Sequence, residues 1–257
     1  NNLKKLLINN KIFLTTVVAI ILFFSYLSIP NIFNQNEISS EIKKNLINKL
    51  NLEFNFEKKL EYKFFPRPHF TTKETSIIFN ENKISEIKKI KIYVSLKNLY
   101  SLKKMKVSNI IIEEGSFNLN KNNYGFFIKL LDSNFKDTKL EIINSNIFYR
   151  NFEKDVLFIN NIINAKYIYD HNESKNILYS KNKVFNLPYS MELFYNQDKT
   201  KLFSKIDIET LRLQLKNQFS AGEELNLGVS EFNFLNFKSI AEYKTNKDYF
   251  EFKLFDK

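Results

Sequence analysis

From Asn51 onward apolar residues recur at every second position, and this period constrains the fold more than any other feature of the chain. Leu52, Phe54 and Phe56 alternate with Glu and Asn, and Leu60, Tyr62 and Phe64 follow in the same phase. The pattern returns at Ile90, Ile92, Val94 and Leu96, at Ile110 and Ile112, and at Phe117 and Leu119. It resumes at Phe185, Leu187, Tyr189, Met191, Leu193 and Tyr195, then at Leu211, Leu213 and Leu215, at Leu225, Leu227 and Val229, and at Phe250, Phe252 and Leu254. Successive strand side chains point to opposite faces, so a period of two predicts strands with one apolar and one polar side. The connections look short and no long helical pattern intervenes, which predicts a mainly β body built as an antiparallel sheet. Its apolar face must meet a second sheet, a covering helix or a hydrophobic ligand, and alternation alone does not choose among them.

Two segments precede this body. Ile12 to Ile29 reads IFLTTVVAIILFFSYLSI without a charge, and as a helix it would span about 27 Å, enough to cross a bilayer. Lys4, Lys5 and Lys11 lie before it, whereas no Lys follows Pro30 until Lys43. The positive-inside rule therefore places residues 1–11 in the cytoplasm and exports the rest. A cleaved signal peptide would have a shorter apolar core and small residues at its cleavage site, whereas Ser25-Tyr26-Leu27-Ser28 has bulky spacers, so an uncleaved anchor at 12–29 is expected. Residues 30–50 form a linker and an amphipathic helix, with Ile38, Ile42, Leu46 and Leu50 on one side and Asn34 or Asn36 as N-cap. Residues 51–257 are then one β-rich domain.

Composition narrows the chemistry. A 44% hydrophobic share suits a buried core, and with only 4 Gly and 4 Pro no low-complexity segment is present. The absence of Cys excludes disulfides, thiolate metal sites and thiol nucleophiles. The net charge of +11 is spread rather than patched, and Arg occurs only at Arg67, Arg150 and Arg212, which argues against nucleic acid as a partner. Biased Lys usage on solvated faces accounts for the charge, with attraction to anionic lipid as the next reading. His69, among prolines in Phe65-Pro66-Arg67-Pro68-His69, reads as the start of a strand, and Tyr169-Asp170-His171-Asn172-Glu173 as a polar turn rather than a metal cluster. Glu113-Glu114-Gly115-Ser116 reads as a hairpin turn rather than a carboxylate pair. No catalytic, metal or cofactor-binding residue is expected, and the chain is not expected to be an enzyme.

The order of these features resembles the N-terminal region of the AsmA-like family of bacterial envelope proteins. The resemblance runs from the anchor and amphipathic helix through a strand pair into Phe65-Pro66-Arg67-Pro68, similar to the family's P-x-P step. It continues through the stretch from Ile84 to Leu99 and through Lys106-Val107-Ser108-Asn109-Ile110-Ile111-Ile112. Asn144-Ser145-Asn146-Ile147-Phe148-Tyr149 is similar to a later strand, with Ser or Asn where a glycine is common. About residues 1–170 are covered well and the rest loosely. The resemblance implies a single-pass inner-membrane protein whose periplasmic sheet curls into an apolar groove that carries phospholipid in support of outer-membrane biogenesis. It brings no catalytic residues with it. The groove-facing candidates are Phe54, Phe56, Ile90, Ile92, Val94, Leu96, Ile110, Ile112, Leu187 and Met191. Implied partners are the membrane, phospholipid and outer-membrane assembly proteins. Two departures from the family are the short length, 257 residues, for a membrane-to-membrane bridge and a first residue that is Asn rather than Met; a groove continued beyond Lys257 is left open. The rival expectation is an interaction protein whose sheet closes as a sandwich without lipid and recruits partners along its edge strands. A pilin-like subunit is a third, disfavoured because no processing-type glycine precedes the apolar run.

Overall fold

The structure, a computed structural model, describes residues 2–79, 81–222, 225–246 and 248–256, without the side chains of residues 2–9 and 256. The side chains of Lys4 and Lys5 thus lie outside the described residues. Helix α1 (Asn2–Ser28) contains the expected apolar run, and Asn10–Ile32 is long and apolar enough to cross a membrane; its side chains are exposed from Asn10 to Ser25 apart from Val17, and Leu27 and Pro30 are buried at its end. Thr15 and Thr16 turn their hydroxyls back to the carbonyls of Lys11 and Ile12, so neither leaves an unpaired donor among apolar neighbours. Pro30 sits in the first turn of a short 3-10 segment (Ile29–Ile32), and the chain then enters helix α2 (Gln35–Leu50). The Asn34 side chain caps α2 by accepting from the Asn36 N–H at 2.8 Å. Asn51, at φ 54°, ends the helix by donating its N–H to the Ile47 carbonyl. Ile38, Ile42, Leu46 and Leu50 form its buried stripe, as their spacing predicts.

Fourteen strands follow: β1 (Glu53–Phe56), β2 (Glu61–Lys63), β3 (His69–Phe79), β4 (Asn82–Val94), β5 (Val107–Leu119), β6 (Lys139–Arg150), β7 (Val156–Asp170), β8 (Lys175–Val184), β9 (Leu187–Tyr195), β10 (Lys201–Ile208), β11 (Leu213–Ser220), β12 (Asn226–Phe234), β13 (Phe237–Thr245) and β14 (Phe250–Asp256). They form one open sheet in nearly sequential order, with β1 and β2 both beside β3. Neighbours are antiparallel with one exception, because β5 and β6 run parallel. The expected mainly β body with one N-terminal apolar helix is found, and the expected antiparallel pairing holds except at this one pair. Parallel neighbours need a crossover of about a dozen residues or more, and residues 120–138 supply it. That crossover holds only a one-turn helix, α3 (Phe126–Lys129), and a 3-10 turn (Leu130–Asp132), too short to leave a helical period in the sequence.

Part of the sheet is creased. Glu74 and Lys88 drop out of the β3–β4 ladder opposite each other, as do Lys88 and Glu114 between β4 and β5. Asn144 and Ile163 do the same between β6 and β7. Glu74, Glu114 and Asn144 all have positive φ, so the line of skipped residues runs through five strands and ends at β8. Glu113-Glu114-Gly115-Ser116 is therefore no hairpin turn: it lies inside β5, and its turn-type residues mark the crease. Gly115 is required there, since an added Cβ would stand 2.9 Å from the Phe117 ring and 3.3 Å from Ser145 Oγ. That hydroxyl accepts the Gly115 N–H at 2.9 Å.

Candidate functional site

The sheet has an inner face, marked by Ile90, Ile112, Leu140, Tyr167 and Leu178, all buried, and an outer face dressed with ion pairs such as Lys91–Glu113 and Lys89–Glu113. Over β1–β5, and over β6–β8 at their Lys139, Asp170 and Lys175 ends, the inner face is closed. The apolar stripe of α2 joins it in one core, and the crossover covers the next strands with Phe126, Leu130, Leu131 and Phe135. Polar contacts fix this cover. Ser133 Oγ donates to the Leu50 carbonyl, Tyr167 OH to the Phe127 carbonyl, and Asn176 Nδ2 to the carbonyls of Leu131 and Ser133 at 2.7 Å. Burial pushes the Tyr167 hydroxyl pKa well above its ordinary value, so it remains a donor. The cover ends with Lys199, in the turn after β9, which reaches Asp132 at 2.8 Å.

Beyond this point the inner face continues without a covering element. Register places Met191, Ile206, Leu215 and Phe232 in one transverse row, and Tyr195, Leu202 and Phe219 in another. The second row continues through Gly228 to Tyr243 and Phe252. Between them runs a line of smaller residues, Ser204, Asn217, Ser230 and Ala241, from Leu193 on β9 to Leu254 on β14. Five strand spacings make this furrow about 24 Å long. Part of its polar lining pairs internally: the Asn217 side-chain oxygen accepts from Ser230 Oγ at 2.8 Å and from Tyr243 OH at 2.9 Å. Gly228 is essential to this packing, because the Tyr243 ring lies where its Cβ would be. Side chains along these rows are half-buried over β9–β11 and become exposed toward β14, where Phe252 is 55% and Leu254 61% exposed.

Where the covered and uncovered halves meet, a mostly apolar cavity of about 320 Å³ opens. Tyr124 and Phe127 of the crossover form one wall, Tyr149 and Phe158 another, and Met191 lies toward the furrow. Asn160, Ser180 and Asn182 form a buried polar patch in its lining. Asn182 Nδ2 donates to Ser180 Oγ, and Tyr189 OH donates to Asn160 Oδ1 at 3.1 Å. Burial raises the Tyr189 pKa, and the hydrogen bond to Asn160 offsets part of the rise.

The ten groove candidates separate on this map. Phe54, Ile90, Ile92, Val94, Ile110 and Ile112 are buried in the closed core with α2, and Phe56 packs against that core, so none of the seven lines an open groove. The reason is that α2 already occupies the face to which their alternation points. Leu96 lies past the end of β4, in a loop, and is 51% exposed. Only Leu187 and Met191 stand on the part of the inner face that the helices leave bare. Leu227 and Val229, taken from the alternation as apolar-face residues, point outward, while Phe232 and Phe234 of the same strand point in. The residues that sequence reasoning missed are the small ones of the furrow, whose mixed character breaks the apolar alternation. Phe185 is not a strand residue but half of a two-residue turn with Asn186, both at positive φ.

His69 opens β3 as expected, its Nδ1 2.8 Å from the Arg67 carbonyl and its ring against Tyr93. Asp170 accepts from the N–H groups of Asn172 and Glu173, which makes the His171 segment the expected polar turn. Among the described residues no group of three or more His, Asp or Glu is placed to hold a metal ion.

A family model described as the AsmA family matches residues 4–134, just over half of the chain. The chain belongs to the AsmA family. No curated protein matches it. The AsmA match covers α1, α2, β1–β5 and most of the crossover, that is, the apolar helix able to span a membrane and much of the closed core, which β6–β8 complete. The bare inner face of β9–β14 lies beyond the matched residues.

Proposed function

We propose that this AsmA-family protein is held in the bacterial inner membrane by α1, with its N-terminus cytoplasmic and its sheet periplasmic, and that it binds or transfers phospholipid in support of outer-membrane biogenesis. The observation that carries the reading is the uncovered inner face of β9–β14, which is apolar on both sides of a furrow over β9–β12, keeps the Tyr243–Phe252 flank over β13 and β14, where the register puts Ser239 and Asp256 on the other side, and opens from the cavity at Met191. Each methylene removed from water there contributes about 0.8 kcal/mol, so an acyl chain lying along the furrow needs no dedicated polar partner. Lipid is carried rather than altered in this reading, and no bond is made or broken. Family membership supports an envelope role, and the anchor supports a membrane source of lipid.

Site-specific photocrosslinking in cells tests it. A benzoylphenylalanine at Leu215 should capture phospholipid, whereas one at the outward Lys216 should not. No adduct at Leu215, or equal adducts at both, would sink the lipid reading. The interaction reading retains one specific observation: β14 is paired on one side only among the described residues and exposes Phe250, Phe252 and Leu254. A protein adduct in place of lipid at Phe252 would favour strand addition by an assembly partner.

A further inference from the structure

The end of α1 is welded to one end of the sheet. Tyr26 OH donates to the Leu96 carbonyl at 2.7 Å and accepts the Leu99 N–H at 3.3 Å, while Tyr62 OH donates to the Leu27 carbonyl at 2.8 Å. Leu27 is buried in the body's core, and the Phe64 ring meets that of Phe24, which lies within the apolar span, edge to face at 6.1 Å. The β4–β5 loop and the corner after β2 must therefore stand where the span leaves the bilayer.

What they display there is unusual for a surface meeting water. Phe65 is 79% exposed, and Leu96 and Tyr100 are each more than half exposed. Between Val94 and Ile112 there is no acidic residue but there are four lysines, Lys97, Lys103, Lys104 and Lys106. All four are exposed, and none has an ion-pair partner among the described residues. Exposed aromatic and aliphatic side chains beside unpaired lysines match the chemistry of the headgroup boundary, where rings lie at the interface and each lysine is drawn to anionic phosphate.

We infer that the Phe64-Phe65 corner and the β4–β5 loop form a second membrane contact, seating this end of the sheet on the anionic surface of the bilayer that α1 spans. The inference rests on α1 being inserted. It does not depend on what the furrow holds. Phe65 and Leu96 enter the acyl–headgroup boundary, and Lys97, Lys103 and Lys104 meet lipid phosphate. The Leu96 side chain, which faces no groove, thereby has a role at the interface.

The chain contains no Trp, so single substitutions give clean reporters in the full chain reconstituted into vesicles of phosphatidylcholine and phosphatidylglycerol, with or without brominated acyl chains. Phe65→Trp and Leu96→Trp should shift to shorter emission wavelength and lose most of their intensity to brominated lipid. Phe185→Trp, in the turn at the opposite end of β8, should do neither. Phe23→Trp, within the span, separates the premises. If it is quenched while Phe65→Trp and Leu96→Trp behave like Phe185→Trp, the second contact is overturned and the anchor stands; if Phe23→Trp is itself unquenched, both fall. Equal quenching of Phe65→Trp with and without phosphatidylglycerol would overturn the part assigned to the lysines.

Discussion

Individual residues in this chain occupy backbone conformations that glycine usually takes. No described glycine has positive φ, whereas thirteen other residues do, Leu235 and Phe185 among them. Left-handed backbone costs a residue with a Cβ about 1–2 kcal/mol, and Asn bears it more easily. Leu235, at φ 54° and 59% exposed, has little packing to lose, so Leu235→Asn should raise unfolding free energy by about 1 kcal/mol in denaturant titrations. The reverse holds at Gly115, where the Phe117 ring and the Ser145 hydroxyl leave no room. Gly115→Ala should cost about 1–3 kcal/mol in the same titration, as overpacking does. Glu113 carries a pH signature. Burial pushes its carboxyl up, but hydrogen bonds from Lys91 and Lys89 outweigh that and hold it below the ordinary range. A carboxylate lowered in the folded state stabilises it above the unfolded pKa of about 4.3, and that contribution is lost as pH falls through the folded value. Thermal melting should thus fall more steeply with acidification in the parent than in Glu113→Gln. Equal slopes would show that the Lys–Glu–Lys cluster contributes nothing.

Among the elements, α2 decides which part of the sheet is closed. Leu46→Ala removes a fully buried side chain from the joint between helix and sheet and should cost about 2–5 kcal/mol. Leu215→Ser, on the bare face, should cost much less in the same denaturation experiment; if the two losses are equal, something covers β11 as firmly as α2 covers β4. The stripe of α2 was legible from Ile38, Ile42, Leu46 and Leu50 because one helix face meets one partner. The strands were legible for a similar reason, since alternation records that one side is wet. What alternation cannot record is which strands the helix reaches, and so Ile92 and Ile112 looked like groove residues when they are core. The crossover was hidden because its helical pieces are single turns, and the crease because Glu114-Gly115 carries the chemistry of a turn while remaining in the ladder. At the furrow the signal was missing altogether: Ser204, Asn217, Ser230 and Ala241 do not share an apolar character, and only register brings them into line.

On the scale of the whole molecule, a closed anchor-proximal half is joined to an open distal half by an unbroken hydrogen-bonded sheet. The creases stop at β8, and from there to β14 the chain is a plain meander of neighbouring antiparallel strands. The link between α1 and the body works differently, through Tyr26, Leu27 and Tyr62 rather than through a loose tether. Burial, and then the neighbouring Tyr26 hydroxyl, push the Tyr62 pKa up to about 12, so its hydrogen bond to the Leu27 carbonyl survives alkaline conditions that would ionise an ordinary tyrosine. In a bilayer, as proposed above, such a joint would make α1 a lever. A spanning helix answers a change in bilayer thickness by changing its tilt, and a body fixed to the end of that helix must lean through the same angle. The thickness of the host membrane would then set the direction in which the far end of the sheet points.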